Sequence, residues 1–500
     1  IQNIIGFNSN ISFKDFNSFG NNFFISDLNI DLSQIKLFEN NLKFDINNIN
    51  YKNDLGYSLK DFSSNLIFNK KEFYLNNIDF RYEKSNIKGD LFLDFSKINS
   101  ENSLNFASLD SVYLDFKIVD SKINPSDLTI IYDKIDKSYS DSWNLTSEIN
   151  GFISNLNINK TILSNNDNII EFDANLSNIF KGKDDYVLNF HFDKINTSSQ
   201  TINSIFPEVF GTIIPTSTKT LGEFNFNGNT LINSYEVKSN FNLQIEEGTV
   251  NAFLKISDLS NIDNAIYTGY VEGKNLDISK FINFKSIGRS NFKFDINGRG
   301  FTSEYLDSQV TGKIEDITFN NQILQKLEIF GQVKDQVFDG KLSLNDPNLN
   351  LDFNGLIDYS NDLIDFDFNS SIKYANLFNL GFNDNGILNG DFIVKLRGNS
   401  MKDLIGDLTL QKIKYNNIDD SIEFKDLYAQ LRNNEGNRII NISSEDIVSG
   451  ILIGEYDFLN LKYSVLNNFG KHYSNYKLLS EGESQNISFS LNFKPKLLKV

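Results

Sequence analysis

Apolar and polar residues alternate with period two along almost the whole chain, and a chain written this way buries its apolar side chains only as β-sheet. Leu42, Phe44 and Ile46 alternate with Lys43, Asp45 and Asn47, and Leu114, Phe116 and Ile118 with Asp115 and Lys117. Phe292, Phe294 and Ile296 repeat the scheme against Lys293, Asp295 and Asn297. So do Leu349, Leu351 and Phe353, then Ile364, Phe366 and Phe368, then Ile487, Phe489, Leu491 and Phe493. Parity slips between Ile46 and Ile49, which predicts a bulge or tight turn there, because a one-residue slip otherwise swaps the two faces. Gly89, Gly151, Gly222, Gly269, Gly312, Gly340, Gly355, Gly390 and Gly406 each stand at or just before an apolar run and read as turn residues of an antiparallel meander.

With 500 residues, the chain exceeds what a single compact core organises. At about 12 residues per strand and turn it holds roughly 35 to 40 strands, too many for one twisted open sheet unless the sheet coils or folds lengthwise. A helical spacing interrupts the strands at intervals. Asn124 and Pro125 form an N-cap and first-turn pair ahead of Leu128, Ile131, Tyr132 and Ile135, predicting a short helix near 125–135. Similar spacings predict helices near 200–210, 277–284, 374–380 and 459–469, so a unit of several strands and one amphipathic helix recurs loosely. Pro215 and the Ser/Thr cluster in "GTIIPTSTKTLG" mark a soft boundary, dividing the β-groove segment 1–211 from its continuation 212–500. The expected fold is all-β: an elongated, repetitive β-groove, a lengthwise-folded antiparallel sheet with short amphipathic helices between strand groups.

Candidate chemistry is sparse. The net charge of -18, from 65 acidic and 47 basic residues, disfavours nucleic acid, whose phosphates need a concentrated positive field. There is no cysteine, hence no disulfide framework and no thiolate site. The two histidines, His191 and His472, lie in no metal-binding or triad pattern and read as surface residues. Carboxylates alternate with Phe and Leu as a solvated strand face, and "NDNGILNGD" at 383–391 lacks the full ligand series of a calcium loop. No glycine-rich phosphate loop opens a helix, so no cofactor is expected, and the chain does not read as an enzyme. No stretch approaches the ~20 apolar residues of a membrane helix. The segment "LNFKPKLLKV" reads like the middle of a sheet, as in a piece of a longer protein.

What remains is the aromatic stripes, in a chain with 46 Phe and 20 Tyr. They fit the core of stacked β-sandwiches, or a single sheet folded into a gutter whose inner face is too long for its own side chains to fill and suits acyl chains. In the second case Phe44, Phe116, Phe190, Phe226, Phe241, Phe292, Phe294, Ile296, Leu351, Phe353, Ile364, Phe366, Phe368, Phe489 and Leu491 are the candidates for the groove lining.

The segments "GYSLKDFSSNLIF" (56–68), "SNIKGDLFLDFS" (85–96), "DSKINPSDLTIIYDKI" (120–135), "IFPEVFGTIIP" (205–215), the strand run 226–259, "GKLSLNDPNLNLDFNGLIDYS" (340–360) and "SIKYANLFNLGF" (371–382) follow one another as strand and short-helix units. In order and number they resemble the translocation and assembly module subunit TamB family of the AsmA-like, bridge-like lipid transfer group. The resemblance implies a periplasmic protein of Gram-negative bacteria, anchored in the inner membrane by a segment outside this chain. It further implies a β-groove that conducts phospholipid to the outer membrane, and a BamA-like or TamA-like outer-membrane partner in outer-membrane biogenesis and protein secretion. The alternative is a scaffold that assists outer-membrane protein assembly by β-strand augmentation without carrying lipid.

Overall fold

The computed structural model describes residues 2–13, 23–53, 58–98, 110–130, 135, 139–179, 185–205, 221–258, 264–280, 287–301, 305–381, 385–400, 403–418, 421–434, 437–455 and 486–495. Over these residues the protein is all-β, a repetitive antiparallel sheet of 27 strands. The chain forms two compact units, Ile1–Ala265 and Ile266–Val500.

Unit 1 opens with β1 (Asn3–Phe13), β2 (Phe23–Phe38), β3 (Asn41–Asn53), β4 (Ser58–Phe68), β5 (Glu72–Tyr82), β6 (Ser85–Asp94) and β7 (Tyr113–Ile123). It continues with β8 (Trp143–Phe152), β9 (Asn155–Ser164), β10 (Ile169–Ser177), β11 (Val187–Ser198), β12 (Glu223–Asn233), β13 (Glu236–Ile245) and β14 (Gly248–Ser257). Unit 2 holds β15 (Ile266–Asp277), β16 (Ile287–Arg299), β17 (Asp307–Phe319), β18 (Gln322–Lys334), β19 (Val337–Asn345), β20 (Leu349–Asp358) and β21 (Asp365–Asn376). It ends with β22 (Ile387–Arg397), β23 (Ile405–Asn416), β24 (Ser421–Asn434), β25 (Asn437–Ser443), β26 (Val448–Glu455) and β27 (Asn486–Phe493). Within each unit every strand pairs antiparallel with the next in sequence, as the period-two text dictates. Among the described residues the outermost strands of a unit do not pair with each other, so neither meander closes into a barrel.

β-Bulges interrupt the ladders repeatedly. The slip read between Ile46 and Ile49 is one of them, since Leu32 opposes Ile46 but Asp31 opposes Asn48. At several bulges a non-glycine residue takes a left-handed conformation, as at Asn77 (φ 55°), Lys160 (φ 49°), Asn275 (φ 48°) and Lys412 (φ 52°). At Asn77, Lys160 and Asn275 the amide this leaves without a ladder partner is satisfied from the next strand. Asn77 N donates to Asp90 Oδ1 (2.8 Å), Lys160 N to Asp173 Oδ1 (2.7 Å) and Asn275 N to Asn291 Oδ1 (2.7 Å). Carbonyls near the bulges are met by buried serines, with Ser64, Ser121, Ser290 and Ser444 donating to the backbone oxygens of Asn76, Lys88, Asp316 and Asp426. Each bulge bends its strand, and these side chains remove the unsatisfied backbone groups the bend would otherwise leave.

The structure corrects two sequence expectations in detail. Gly89, Gly151, Gly269, Gly312, Gly340, Gly355, Gly390 and Gly406 lie within strands rather than in turns; Gly222 alone precedes one. Two are sockets for a neighbouring ring: a Cβ on Gly312 would meet the Phe294 ring at 2.5 Å, and one on Gly340 the Phe338 ring at 2.8 Å. Of the five helices, the first is a 3-10 helix, Pro125–Ile130, with Ser126 N donating to the capping Asn124 Oδ1 at 3.0 Å. The second is α1 (Ser199–Ile205), and the third a single 3-10 turn, Ile278–Lys280. At 374–380 there is no helix, because Tyr374 pairs with Asn350 in the ladder and only a turn follows it. The 459–469 helix lies outside the described residues, as does most of the 211–222 linker, on either side of which β11 and β12 pair directly.

Candidate functional site on the apolar face

Because neighbouring strands keep register, residues opposite one another in successive pairs form rows that cross a unit at right angles to its strands. In unit 2 one such row runs from β15 to β27 as Gly269, Ile296, Val310, Gly331, Gly340, Gly355, Phe368, Val394, Leu408, Ala429, Ile442, Gly450 and Leu491. It contains no polar side chain. The row beside it, from Tyr267 through Phe338, Ile357, Phe366 and Leu396 to Leu452 and Phe489, has two hydroxyls, those of Tyr267 and Ser308, which bond each other at its β15 end. On the other flank Phe294, Gly312, Ile329, Leu342, Phe353, Ser370, Phe392 and Leu410 are joined in the same way. Beyond them Phe292, Ile314, Leu327, Leu344, Leu351 and Ile372 lead into the cluster where the face is most deeply buried, with Leu344 at 3 % exposure and Leu380 at 5 %.

Unit 1 has the same construction. Phe44, Leu66, Leu75, Leu91, Phe116, Ile149, Ile158, Ala174 and Phe190 form one row from β3 to β11, which then meets Thr230 and Ser239. Phe226 stands in a second row with Leu145, Leu163, Ile170, Ile195 and Leu243. Phe172, Phe190, Phe192, Phe226 and Phe241 make a chain of contacting rings, with centroids 5.5–6.2 Å apart.

The candidate lining residues therefore fall on few rows: Phe44, Phe116 and Phe190 on one, Ile296, Phe368 and Leu491 on another, Phe366 and Phe489 on a third, Phe294 and Phe353 on a fourth, and Phe292 and Leu351 on a fifth. Phe226 and Phe241 stack on each other, and Ile364 stands just ahead of β21. All are half-buried except Phe489, which is 54 % exposed. The sequence reading missed Phe172, Phe192, Val310, Phe338 and Leu408, although Phe192 carries the same alternation as Phe190. The glycine part of the longest row had no apolar signal to read.

Although Arg438 is buried at the margin of the apolar face beyond Ile440, most charges stand on the opposite face. There Lys313 pairs with Glu328 at 2.8 Å, Lys373 with Asp352 at 2.7 Å, and Arg397 grips Asp365 through two bonds of 2.6 and 2.5 Å. The hydrogen bonds from Lys373 and from Arg397 hold the Asp352 and Asp365 carboxyls below the usual carboxylate range. His191 is exposed on this face, its Nδ1 2.7 Å from Asn229 Oδ1 and its Nε2 3.2 Å from Asp193; His472 lies outside the described residues. Among the described residues no group of three or more acidic or histidine side chains is placed to hold a metal, and no helix is long and apolar enough to cross a membrane. No family model matches the chain, and neither does any curated protein or solved structure. The arrangement presents a wide apolar surface continuous from strand to strand.

Proposed function

We propose that the apolar face is a track for phospholipid acyl chains, and that the protein carries phospholipid across the periplasm from inner to outer membrane in support of outer-membrane biogenesis. The observation that supports this most is the row from Gly269 to Leu491, in which no polar side chain interrupts the apolar surface of unit 2. A surface that served only as the protein's own core would be covered, yet Phe294, Phe353, Phe366 and Phe368 are only half-buried. Acyl chains laid along the rows cover them, each buried CH₂ contributing about 0.8 kcal/mol. The resemblance to the TamB family supplies the compartment and the partners: an inner-membrane anchor outside this chain and a BamA-like or TamA-like outer-membrane protein.

The test is Phe366→Arg. Phe366 opposes Ile357 and Leu396, and an arginine there reaches water across an uncovered face while setting a charge in the path. The expected result is an unchanged melting temperature with loss of co-purifying phospholipid in native mass spectrometry and of outer-membrane integrity in cells. Collapse of the fold, or normal melting with normal lipid binding, overturns the reading.

A further inference from the structure

A long cavity in unit 2 lies over the polar face, on the side away from the proposed acyl track. Its volume is about 1120 Å³, and it extends from β16 to β23, roughly 35 Å at the usual strand spacing of about 4.8 Å. Two neighbouring polar rows form its walls. The first runs Lys293, Lys313, Glu328, Ser343, Asp352, Ser371, Asp391 and Gln411, and the second Asp295, Thr311, Phe330, Lys341, Asn354, Asn369 and Ile393. The apolar-row residues between them, from Gly312 to Phe392, supply the floor.

Three properties define what fits. First, the carboxylates in the first row are already neutralised, Glu328 by Lys313, Asp352 by Lys373 and Asp391 by Lys412, while Ser343 and Ser371 donate to Asp352 and Asp391 and Lys293 lies over the Tyr270 ring. The other charges along the trough, Lys293, Lys341, Asp295 and Glu315, are two of each sign, so no net field selects an ionic ligand. Secondly, Lys341, Asn354 and Asn369 stand opposite one another in consecutive strands, exposed and with no side-chain partner among the described residues. They offer a line of free amide and ammonium groups. Thirdly, Phe330 is 65 % exposed in the middle of this polar trough, next to Lys341 in the same row. A ring with its face open beside a line of hydrogen-bonding groups is matched by a molecule that alternates C–H faces with hydroxyls, because the negative face of the ring attracts polarised C–H groups.

We infer that this trough binds a linear, uncharged glycan laid across the strands, with one sugar ring stacked on Phe330 and its neighbours hydrogen-bonded to Lys341, Asn354 and Asn369. The assignment is independent of the lipid track, since it uses side chains on the opposite face of the same strands. It is tested on the full chain by calorimetric titration with chitohexaose and cellohexaose, two extended β-linked glycans, with the coiled α-linked maltohexaose as comparison. At least one β-linked hexamer is expected to bind and maltohexaose at least tenfold more weakly. Phe330→Ala, and separately the double variant Asn354→Ala with Asn369→Ala, should each weaken binding about tenfold without shifting the melting temperature, and Phe330→Tyr should restore it. The inference is overturned if neither β-linked hexamer binds at millimolar concentration, if Phe330→Ala binds as wild type, or if an unfolded polypeptide rather than a glycan occupies the trough in a Phe330-dependent way.

Discussion

The apolar faces of the two units are built from the same alternation, yet they differ in continuity. In unit 2 the row from Gly269 to Leu491 crosses every strand without a polar side chain, and five of its members are glycines, which keep register without adding bulk. In unit 1 the corresponding rows are interrupted by hydroxyl pairs. Thr230 lies 2.9 Å from Ser239, and the buried Ser147 and Thr161 hydroxyls lie 2.8 Å apart. Unit 1 has a chain of five contacting rings from Phe172 to Phe241, besides separate contacts such as Phe62 with Phe80, whereas unit 2 has separate pairs, among them Phe292 with Phe294 and Phe353 with Phe368. The comparison teaches that an unbroken apolar path depends less on how many apolar residues a strand carries than on which ones register brings opposite one another.

The largest effect that separates covered from uncovered apolar positions is a buried charge. Leu344→Asp places a carboxylate in the most enclosed cluster of unit 2, where Leu344 is 3 % exposed and packs with Ile314, Leu324 and Leu327. Denaturant unfolding should show a loss on the order of 3–5 kcal/mol, the cost of a buried unpaired charge. Phe192→Asp in unit 1 should cost clearly less, because a half-buried position lets the carboxylate reach water. Equal losses would mean that the ring chain of unit 1 is as closed as a sandwich core.

How much of this was legible in the sequence follows from the same contrast. The strands and their faces were, since period two is written into Phe292 to Ile296 and Phe366 to Phe368 without reference to any distant residue. The rows were not, because register across strands depends on where bulges fall. Of these, the sequence showed only the slip before Ile49. Asn77, Lys160 and Lys412 adopt left-handed conformations that sequence reasoning assigns to glycine, and at Asn77 and Lys160 a carboxylate on the next strand, Asp90 or Asp173, accepts the amide. Conversely, glycines read as turns sit inside strands under phenylalanine rings. The helix expected at 374–380 failed because Tyr374 and Ala375 complete a ladder with Asn350 and Leu349, leaving too few residues before Gly381 for more than a turn.

A middle-sized effect isolates the hydroxyl pair that interrupts unit 1. Thr161→Val removes one member of the Ser147–Thr161 pair, both of which are 4 % exposed, and leaves the other hydroxyl buried without it. The expected loss is about 1–3 kcal/mol in equilibrium unfolding. Adding Ser147→Ala should recover most of it, because replacing both partners with apolar groups of similar shape is nearly neutral. If the double variant is no more stable than the single one, the pair does more than satisfy itself and the difference between the units is not one of continuity alone.

The smallest effect lies on the polar faces and depends on pH. Asp365 in unit 2 is gripped by Nε and one terminal nitrogen of the Arg397 fork, and that hydrogen bonding, followed by the guanidinium charge, holds its carboxyl below the usual range. Glu236 in unit 1 is likewise lowered, first by its bond from Lys238 and then by that from Lys255. A carboxyl whose folded value is depressed contributes stability that is present above its unfolded value, about 3.9 for Asp and 4.3 for Glu, and is lost as pH falls through the folded value. Asp365→Asn should therefore lower the melting temperature slightly at pH 7, and its curve should meet that of the wild type at the acid end, below the depressed carboxyl value. Glu236→Gln should behave the same way with a smaller shift, since two flexible ammonium groups hold their partner less firmly than one planar fork. Melting curves of both variants between pH 2 and pH 7 decide the point: a deficit of the Asp365→Asn variant that persists unchanged at the acid end would show that the amide fails for reasons of packing rather than charge.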